Sequence, residues 1–496
     1  MNAYNHLHRL FGRLSALEDA GGLLSWDRDT MMPEGASGRR ATVMATLGGL
    51  QHEMLTAPEV ADWLETASAD GDVWKQANLS EMKRIHARAV AVPGDLVEAL
   101  SKAGSEAEMI WRKARVDNDF GSLLPSLQTV LDLTRESATA MGEALSVSPY
   151  DALLDGFDPG MTQDAITPIF ETIARDLPPL LQEVLERQKR TGETSSVGNA
   201  PFPIADQEKL GVSMMRQVGF DMARGRLDVS AHPFCGGATD DVRITTRYEA
   251  DDFLPAFLGV MHETGHALYE QGLPTAWQGQ PVGRARGMTL HESQSLLMEM
   301  QVTRSRSFAT FAAPVMASAF GERGSWNPDV LYRRMTRVSP GFIRVDADEV
   351  TYPAHIIVRY ELEVALIEGR LALKDLPDAF NARIKDMLGL DVPDDRRGCL
   401  QDIHWPLGLW GYFPCYALGA LTAAQLFAAA KAALPDIEDE IQRGEFGNLL
   451  AWLRVSVHER GSSASTQDII SAATGKPLGA EDYLRHVRLR YVDGER

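Results

Sequence analysis

His262-Glu263-Thr264-Gly265-His266 is the stretch whose residue types and spacing could do chemistry by themselves. Two histidines four apart on a helix lie about one turn apart, so both imidazoles can reach one cation from one face. Glu263 sits beside them, placed to touch a metal-bound water instead of the metal. Neutral imidazole suits zinc, and a catalytic zinc takes three protein ligands and keeps a fourth place open. A glycine at 269 with a histidine at 272 would complete one known pattern, but the chain has Tyr269 and Gly272. The third ligand is then sought in Glu292, within Met288-Thr289-Leu290-His291-Glu292-Ser293-Gln294-Ser295, 292 − 266 = 26 residues beyond the second histidine. Glu299, about two helical turns further on, competes for the role.

Such a centre is suited to hydrolysis. A zinc ion lowers the pKa of its water from about 15.7 towards about 7. Glu263 would take the proton and return it to the leaving amine. An oxyanion donor is needed as well, and Tyr412, His355 and His404 are candidates, each equally able to be plain core.

Elements must bring these residues together. Asp252 is a helix cap, Pro255 suits a first turn, and Phe253, Phe257, Leu258 and Met261 supply an apolar face, with Gly272 as the stop. Gly272, Pro274, Gly279, Pro281 and Gly283 then make a turn-rich connection to an antiparallel helix carrying Glu292. The bland alternative is a surface helix that happens to hold two histidines and a glutamate. Leu227 to Ser230 and Val242 to Tyr248 alternate β-branched residues, which predicts two short strands around a turn at Gly236-Gly237. Elsewhere apolar residues recur at three- and four-residue spacing, as over Val60 to Ala67, Leu79 to Ala91, Leu123 to Leu145 and Gln163 to Arg190, and this persists to about Ala473. The Gly-, Ser-, Thr- and Pro-rich run from Thr191 to Pro203 is the best boundary. We expect a helical subdomain over 1–200 forming one wall of a groove. A catalytic subdomain with the small sheet and the C-terminal helices would follow over 201–496.

Composition narrows the function. The 496 residues carry 49 Lys+Arg against 69 Asp+Glu, a net charge of −20, which argues against a general nucleic-acid or anionic-membrane binder. The N-terminus has no apolar core with a cleavage site, and the alanine-rich Tyr416 to Leu434 is interrupted by Thr422, Gln425 and Lys431, which predicts a buried helix and not a membrane span. Cys235, Cys399 and Cys415 suggest no disulfide framework and a reducing cytoplasm. Asp391 to Arg397 reads as a solvated loop, and Asp436 to Glu445 as an exposed acidic helix face.

Several further segments resemble one family, the carboxypeptidase Taq metallocarboxypeptidases. They are His232-Pro233-Phe234, Asp241-Val242-Arg243-Ile244-Thr245, His291-Glu292-Ser293-Gln294, Ile343-Arg344-Val345-Asp346-Ala347-Asp348 and Gly398-Cys399-Leu400-Gln401-Asp402-Ile403-His404-Trp405. Trp26-Asp27, Met32-Pro33, Tyr150-Asp151 and Pro159-Gly160-Met161-Thr162 add to the likeness, in order along nearly the whole chain. The resemblance implies a mainly α, zincin-type, neurolysin-like body with a deep substrate groove and a small sheet beside the active site. It also implies a homodimer that removes residues singly from peptide C-termini with broad preference. Zinc would be the cofactor, with cobalt or manganese able to substitute. His262, His266 and Glu292 would be the ligands and Glu263 the acid/base.

An exopeptidase must also hold the terminal carboxylate, which arginine's planar fork does best. Arg344 and Arg243 are the candidates, unless they pair structurally with Asp346, Asp348 or Asp241. His232 could bond the substrate backbone or merely a buried carbonyl, and Phe234 and Trp405 are wall or core. An endopeptidase of the same fold, an idle peptide-binding scaffold and an acidic interaction module without metal are the competing readings.

Overall fold

The computed structural model describes residues 2–191, 201–321 and 326–494. The Thr191 to Pro203 boundary lies largely outside them. Nearly all regular structure is helical, with one sheet of three strands. Among the described residues no helix is long and apolar enough to cross a membrane.

The N-terminal helix, Ala3–Thr30, starts where the Asn2 side chain accepts a hydrogen bond from the Asn5 amide. Its Tyr4, Leu7, Phe11 and Leu14, at three- and four-residue spacing, pack with Val60, Leu64, Leu79 and Met82 into a small core of their own. The main core is continuous from Trp111 to Val487, drawing on helices Phe120–Leu145 and Gln163–Thr191 as well as on everything around the sheet. Helix Pro414–Ala433 is buried along most of its length, as its alanine-rich, nearly uncharged sequence predicts.

The sheet differs from expectation. Strands Gly225–Val229, Cys235–Ala238 and Asp241–Thr246 run in the order first, third, second, with the first pair parallel and the other antiparallel. Gly236-Gly237 is thus not the turn but part of a third, edge strand, and the reversal falls at Thr239-Asp240, where Asp240 has φ 60°. Gly237 has φ 102°, and a Cβ there would strike the Asp241 carbonyl, so the strand needs glycine. The N-terminal helix crosses this strand closely, since a side chain at Gly22 would collide with the Gly237 carbonyl.

Three helical elements carry the chemistry. Helix Leu254–Gly272 has Phe253 and not Asp252 at its N-cap, although Asp252 Oδ1 accepts from the Leu254 amide at 3.1 Å just before it. It is buried on nearly every side, not on one face, because the sheet, helix Ile204–Gln217 and helix Met288–Leu296 surround it. Helix Met288–Leu296 runs directly into a π-helical stretch, Leu297–Thr303. Past Ala473, where the periodicity fades, the chain still forms helix Glu481–Val487 and a π-helical end, Arg488–Gly494. The acidic stretch after Asp436 is helical only over Ile437–Gln442.

Candidate metal centre

His262 and His266 project from helix Leu254–Gly272 towards Glu292 on the neighbouring helix. Glu292 Oε2 lies 3.9 Å from His262 Nε2 and 3.3 Å from His266 Nε2, and one donor atom from each residue falls within 4.8 Å of the others. Donors about 2.1 Å from one tetrahedral cation would be about 3.4 Å apart, so the trio has the right dimensions for such an ion. Two glycines make this approach possible. A Cβ at Gly265 would come within 2.6 Å of Ser295 Cα, and one at Gly419 would meet Glu292 Cβ at 2.7 Å. The helix bearing Glu292 is therefore pressed between the helix bearing the histidines and helix Pro414–Ala433.

Both histidines are held through Nδ1, leaving Nε2 for the cation. His262 Nδ1 donates to Glu299 Oε2 at 3.0 Å, and Glu299 Oε1 accepts from Arg304 Nη2 at 2.6 Å. Glu299 thus stands outside the converging trio and orients the His262 ring. Burial would raise its pKa, but Arg304 and His262 outweigh that and hold it at about 2. His266 Nδ1 meets His291 Nδ1 at 2.6 Å, and His291 Nε2 meets Glu270 Oε1 at 2.7 Å.

The field here favours positive charge. Burial opposes protonation of His262, yet the carboxylates of Glu299, Glu292 and Glu263 prevail and lift its pKa to about 10. His266 goes the other way, lowered by burial to about 4. Glu263 is buried, and burial, aided by Glu292 and Glu299, raises its pKa to about 7 against the pull of His262 and His291. Its Oε2 has no hydrogen-bond partner among the described residues. A buried carboxylate oxygen left unpaired is costly, so it is an atom kept for a group the chain does not itself supply. Two imidazoles, a carboxylate and this orphaned oxygen fit a divalent cation with a water beside it.

Comparison with known proteins agrees with that geometry. Residues 6–491 match the family model described as carboxypeptidase Taq (M32) metallopeptidase. The chain belongs to this family. It is 38% identical over 504 residues to thermostable carboxypeptidase 1 of Thermus thermophilus, covering 99% of this chain and 98% of that one. It is 33% identical to carboxypeptidase 1 of Bacillus subtilis, covering 97% and 96%. Among solved structures, Trypanosoma cruzi metallocarboxypeptidase 1 superposes with a TM-score of 0.97 at 40% identity, covering 99% of both chains. The M32 carboxypeptidase of Deinococcus radiodurans R1 gives 0.94 at 34%, again with 99% of each covered. The protein is accordingly a metallocarboxypeptidase, a peptide hydrolase that depends on a metal.

In this M32 chain the remaining predicted residues fall into two groups. The first lies beside Glu292. Arg344, buried, donates from Nε to Asp402 Oδ1 at 3.0 Å, while Asp402 Oδ2 accepts from Arg359 Nε at 2.7 Å. The Arg344 amide donates to Gln401 Oε1 at 2.8 Å, so the 343–348 and 398–405 motifs lock together. The guanidinium lies 4.8 Å from the Tyr416 ring centre, and its Nη atoms make no hydrogen bond among the described residues. Its expected partners, Asp346 and Asp348, do not pair with it. His404 Nε2 is 3.3 Å from the Tyr416 hydroxyl, and its ring stacks on Tyr412 at 5.6 Å. His355 is fully buried. Trp405 is core, donating to Glu363 Oε1 at 2.8 Å.

The second group lies on the sheet side. Arg243 bonds Asp241 at 2.9 and 2.6 Å and covers the Trp26 ring at 4.4 Å, so its charge is engaged within the fold. His232 and Pro233 are exposed and Phe234 is half-buried; the His232 carbonyl accepts from Ser230 Oγ at 2.5 Å. A cavity of about 380 Å³ opens here between Ser15, Glu18 and Asp19 of the N-terminal helix and the edge strand, with Glu270 and His291 also in its lining.

Sequence reasoning missed Tyr352 and Tyr416. Tyr352 donates to Glu292 Oε1 at 3.4 Å, and its ring lies 6.5 Å from that of Tyr416, edge to face. Tyr416 stands in the first turn of helix Pro414–Ala433, and its ring meets that of Tyr412, which precedes the helix, edge to face at 5.1 Å.

Proposed function

We propose that this metallocarboxypeptidase uses zinc, held by His262, His266 and Glu292, to release amino acids one at a time from peptide C-termini with broad preference. The observation that carries the reading is the unpaired, buried Glu263 Oε2 beside three converging donors. When bound, the cation supplies Lewis acidity, polarising a peptide carbonyl and acidifying a water. Glu263 Oε2 takes the water proton and delivers it to the departing amine nitrogen. Tyr412, Tyr416 and His404 line the same side as Glu292 and offer donors to the developing oxyanion. Arg344 receives the terminal carboxylate through its Nη atoms, with Asp402 and Arg359 fixing the plane of the guanidinium. His232, Pro233, Phe234 and Arg243 border the groove on its sheet side.

Residues 1–200 would form one wall of that groove and 201–496 the catalytic part, which the N-terminal helix supports by lining the cavity opposite the edge strand. Three unpaired cysteines suit a cytoplasmic setting. A homodimer, carried by family likeness, would sediment at twice 54.5 kDa.

The test is mass spectrometry of an N-acetylated peptide with a free C-terminus, incubated with metal-loaded protein with and without chelator. A chelator-sensitive ladder shortening from the C-terminus is expected, and a single internal cut would replace the reading with an endopeptidase. Glu263→Gln should lose turnover while elemental analysis still finds zinc; retained turnover would remove Glu263 from its role.

A further inference from the structure

The two histidine ligands are not supported alike. His262 donates straight to a carboxylate, Glu299. His266 instead meets a second imidazole, His291, and only beyond it a carboxylate, Glu270. The protons along this chain can be assigned from its far end. Glu270 can only accept when ionised, so His291 Nε2 carries a proton and donates it. With Nε2 donating to Glu270, His291 has Nδ1 left to accept, and the atom 2.6 Å away is His266 Nδ1. In that arrangement His266 carries its proton on Nδ1 and turns Nε2 towards Glu292 Oε2, 3.3 Å away. That is the one tautomer in which His266 can ligate.

We infer that His291 and Glu270 are positioning residues for the metal, a relay that fixes the tautomer and ring plane of His266; this rests on the ligand set proposed above. The placement is economical in sequence terms. Glu270 follows His266 by four on one helix, and His291 directly precedes the ligand Glu292 on the other. His291 therefore contacts both His266 and Glu270 across the helix pair, and a shift of helix Met288–Leu296 moves ligand and support together. His291 itself is turned away from the cation, since its Nε2 is spent on Glu270 and it lies outside the donor trio. Glu270 is partly exposed, at 34% of its side chain, on the wall of the 380 Å³ cavity. Replacing it disturbs little packing, which makes it the cleaner probe.

Zinc affinity, read by competition with a chromophoric chelator, should fall about 10–100-fold in His291→Phe and in Glu270→Leu, the range for lost outer-shell partners of metal histidines. Glu270→Gln retains an oxygen acceptor for His291 Nε2 and should recover most of the affinity, which a merely electrostatic role for Glu270 would not allow. The visible spectrum of the cobalt-substituted protein should broaden or shift in the two disruptive variants only. Glu270→Leu binding zinc within about threefold of the parent would overturn the relay, as would equal losses in Glu270→Gln and Glu270→Leu. His266→Ala separates the two readings. If it still binds zinc as the parent does, the ligand set fails. If it loses zinc while the relay variants keep it, only the relay fails.

Discussion

In the proposed reading, recognition of a free C-terminus rests on one side chain, Arg344. Arg344 reaches the site with its Nε tied to Asp402 and its ring-facing edge on Tyr416, so the fork is held before substrate arrives. Arg344→Lys keeps a charge against Asp402 but loses the planar two-pronged donor. A charge-assisted hydrogen bond contributes about 1.5–3 kcal/mol, so kcat/KM on free C-termini should fall roughly 10–100-fold. Hydrolysis of the same peptide with an amidated end should change little. An equal loss on both would show that Arg344 does not read the carboxylate. At this scale the sequence was legible where spacing is local. His262, Glu263 and His266 share one helical turn, and Glu292 stands in a recognisable helix. Tyr352 and the His291–Glu270 pair were not legible as partners, because their meetings span 60 and 21 residues and exist only once helices pack.

The elements meet with no room to spare. Gly265 lies inside the metal motif, and its hydrogen faces Ser295 Cα and the Gln294 carbonyl on the next helix. Gly265→Ala inserts a methyl where backbone cannot yield, at a cost of about 1–3 kcal/mol, and pushes Glu292 away from the histidines. Both Tm and bound zinc should drop. Gly38→Ala, in helix Ser37–Leu55 with nothing within 4 Å, is the contrast: alanine's helix preference of up to about 1 kcal/mol should leave Tm equal or higher. A Gly265→Ala protein with parental Tm and zinc content would mean the helices can part without harm. Helix positions were readable because a 3.6-residue period survives any tertiary arrangement. The glycine pair in the sheet was misread as a turn because what demands glycine there, the Asp241 carbonyl of the adjoining strand and the close pass of Gly22 over the Gly237 carbonyl, exists only once the elements pack.

Over the whole molecule, the last residues return to brace the centre. Glu349, fully buried, accepts from Arg490 Nη1 at 3.0 Å, Tyr491 Oη at 2.6 Å and His486 Nε2 at 2.6 Å. Arg490 also donates to the carbonyls of Met300 and Gln301, in the π-helical stretch that holds Glu299 against His262. The C-terminal segment is thus stitched to the orienting carboxylate from outside the site. Burial alone would raise the Glu349 pKa, but Arg490 and His486 more than offset it and hold the group well below the carboxylate range. A folded pKa below the unfolded value, about 4.3, means the stabilisation is complete above that value and is lost progressively as pH falls from it towards the lower folded value. Glu349→Gln removes the buried carboxylate facing Arg490, a loss of about 3–5 kcal/mol. Thermal unfolding should therefore show the variant well below the parent at pH 7, with the gap closing as both are taken towards pH 3. Were the two curves to stay parallel across that range, the ion pair would not be what ties the C-terminus to the metal centre.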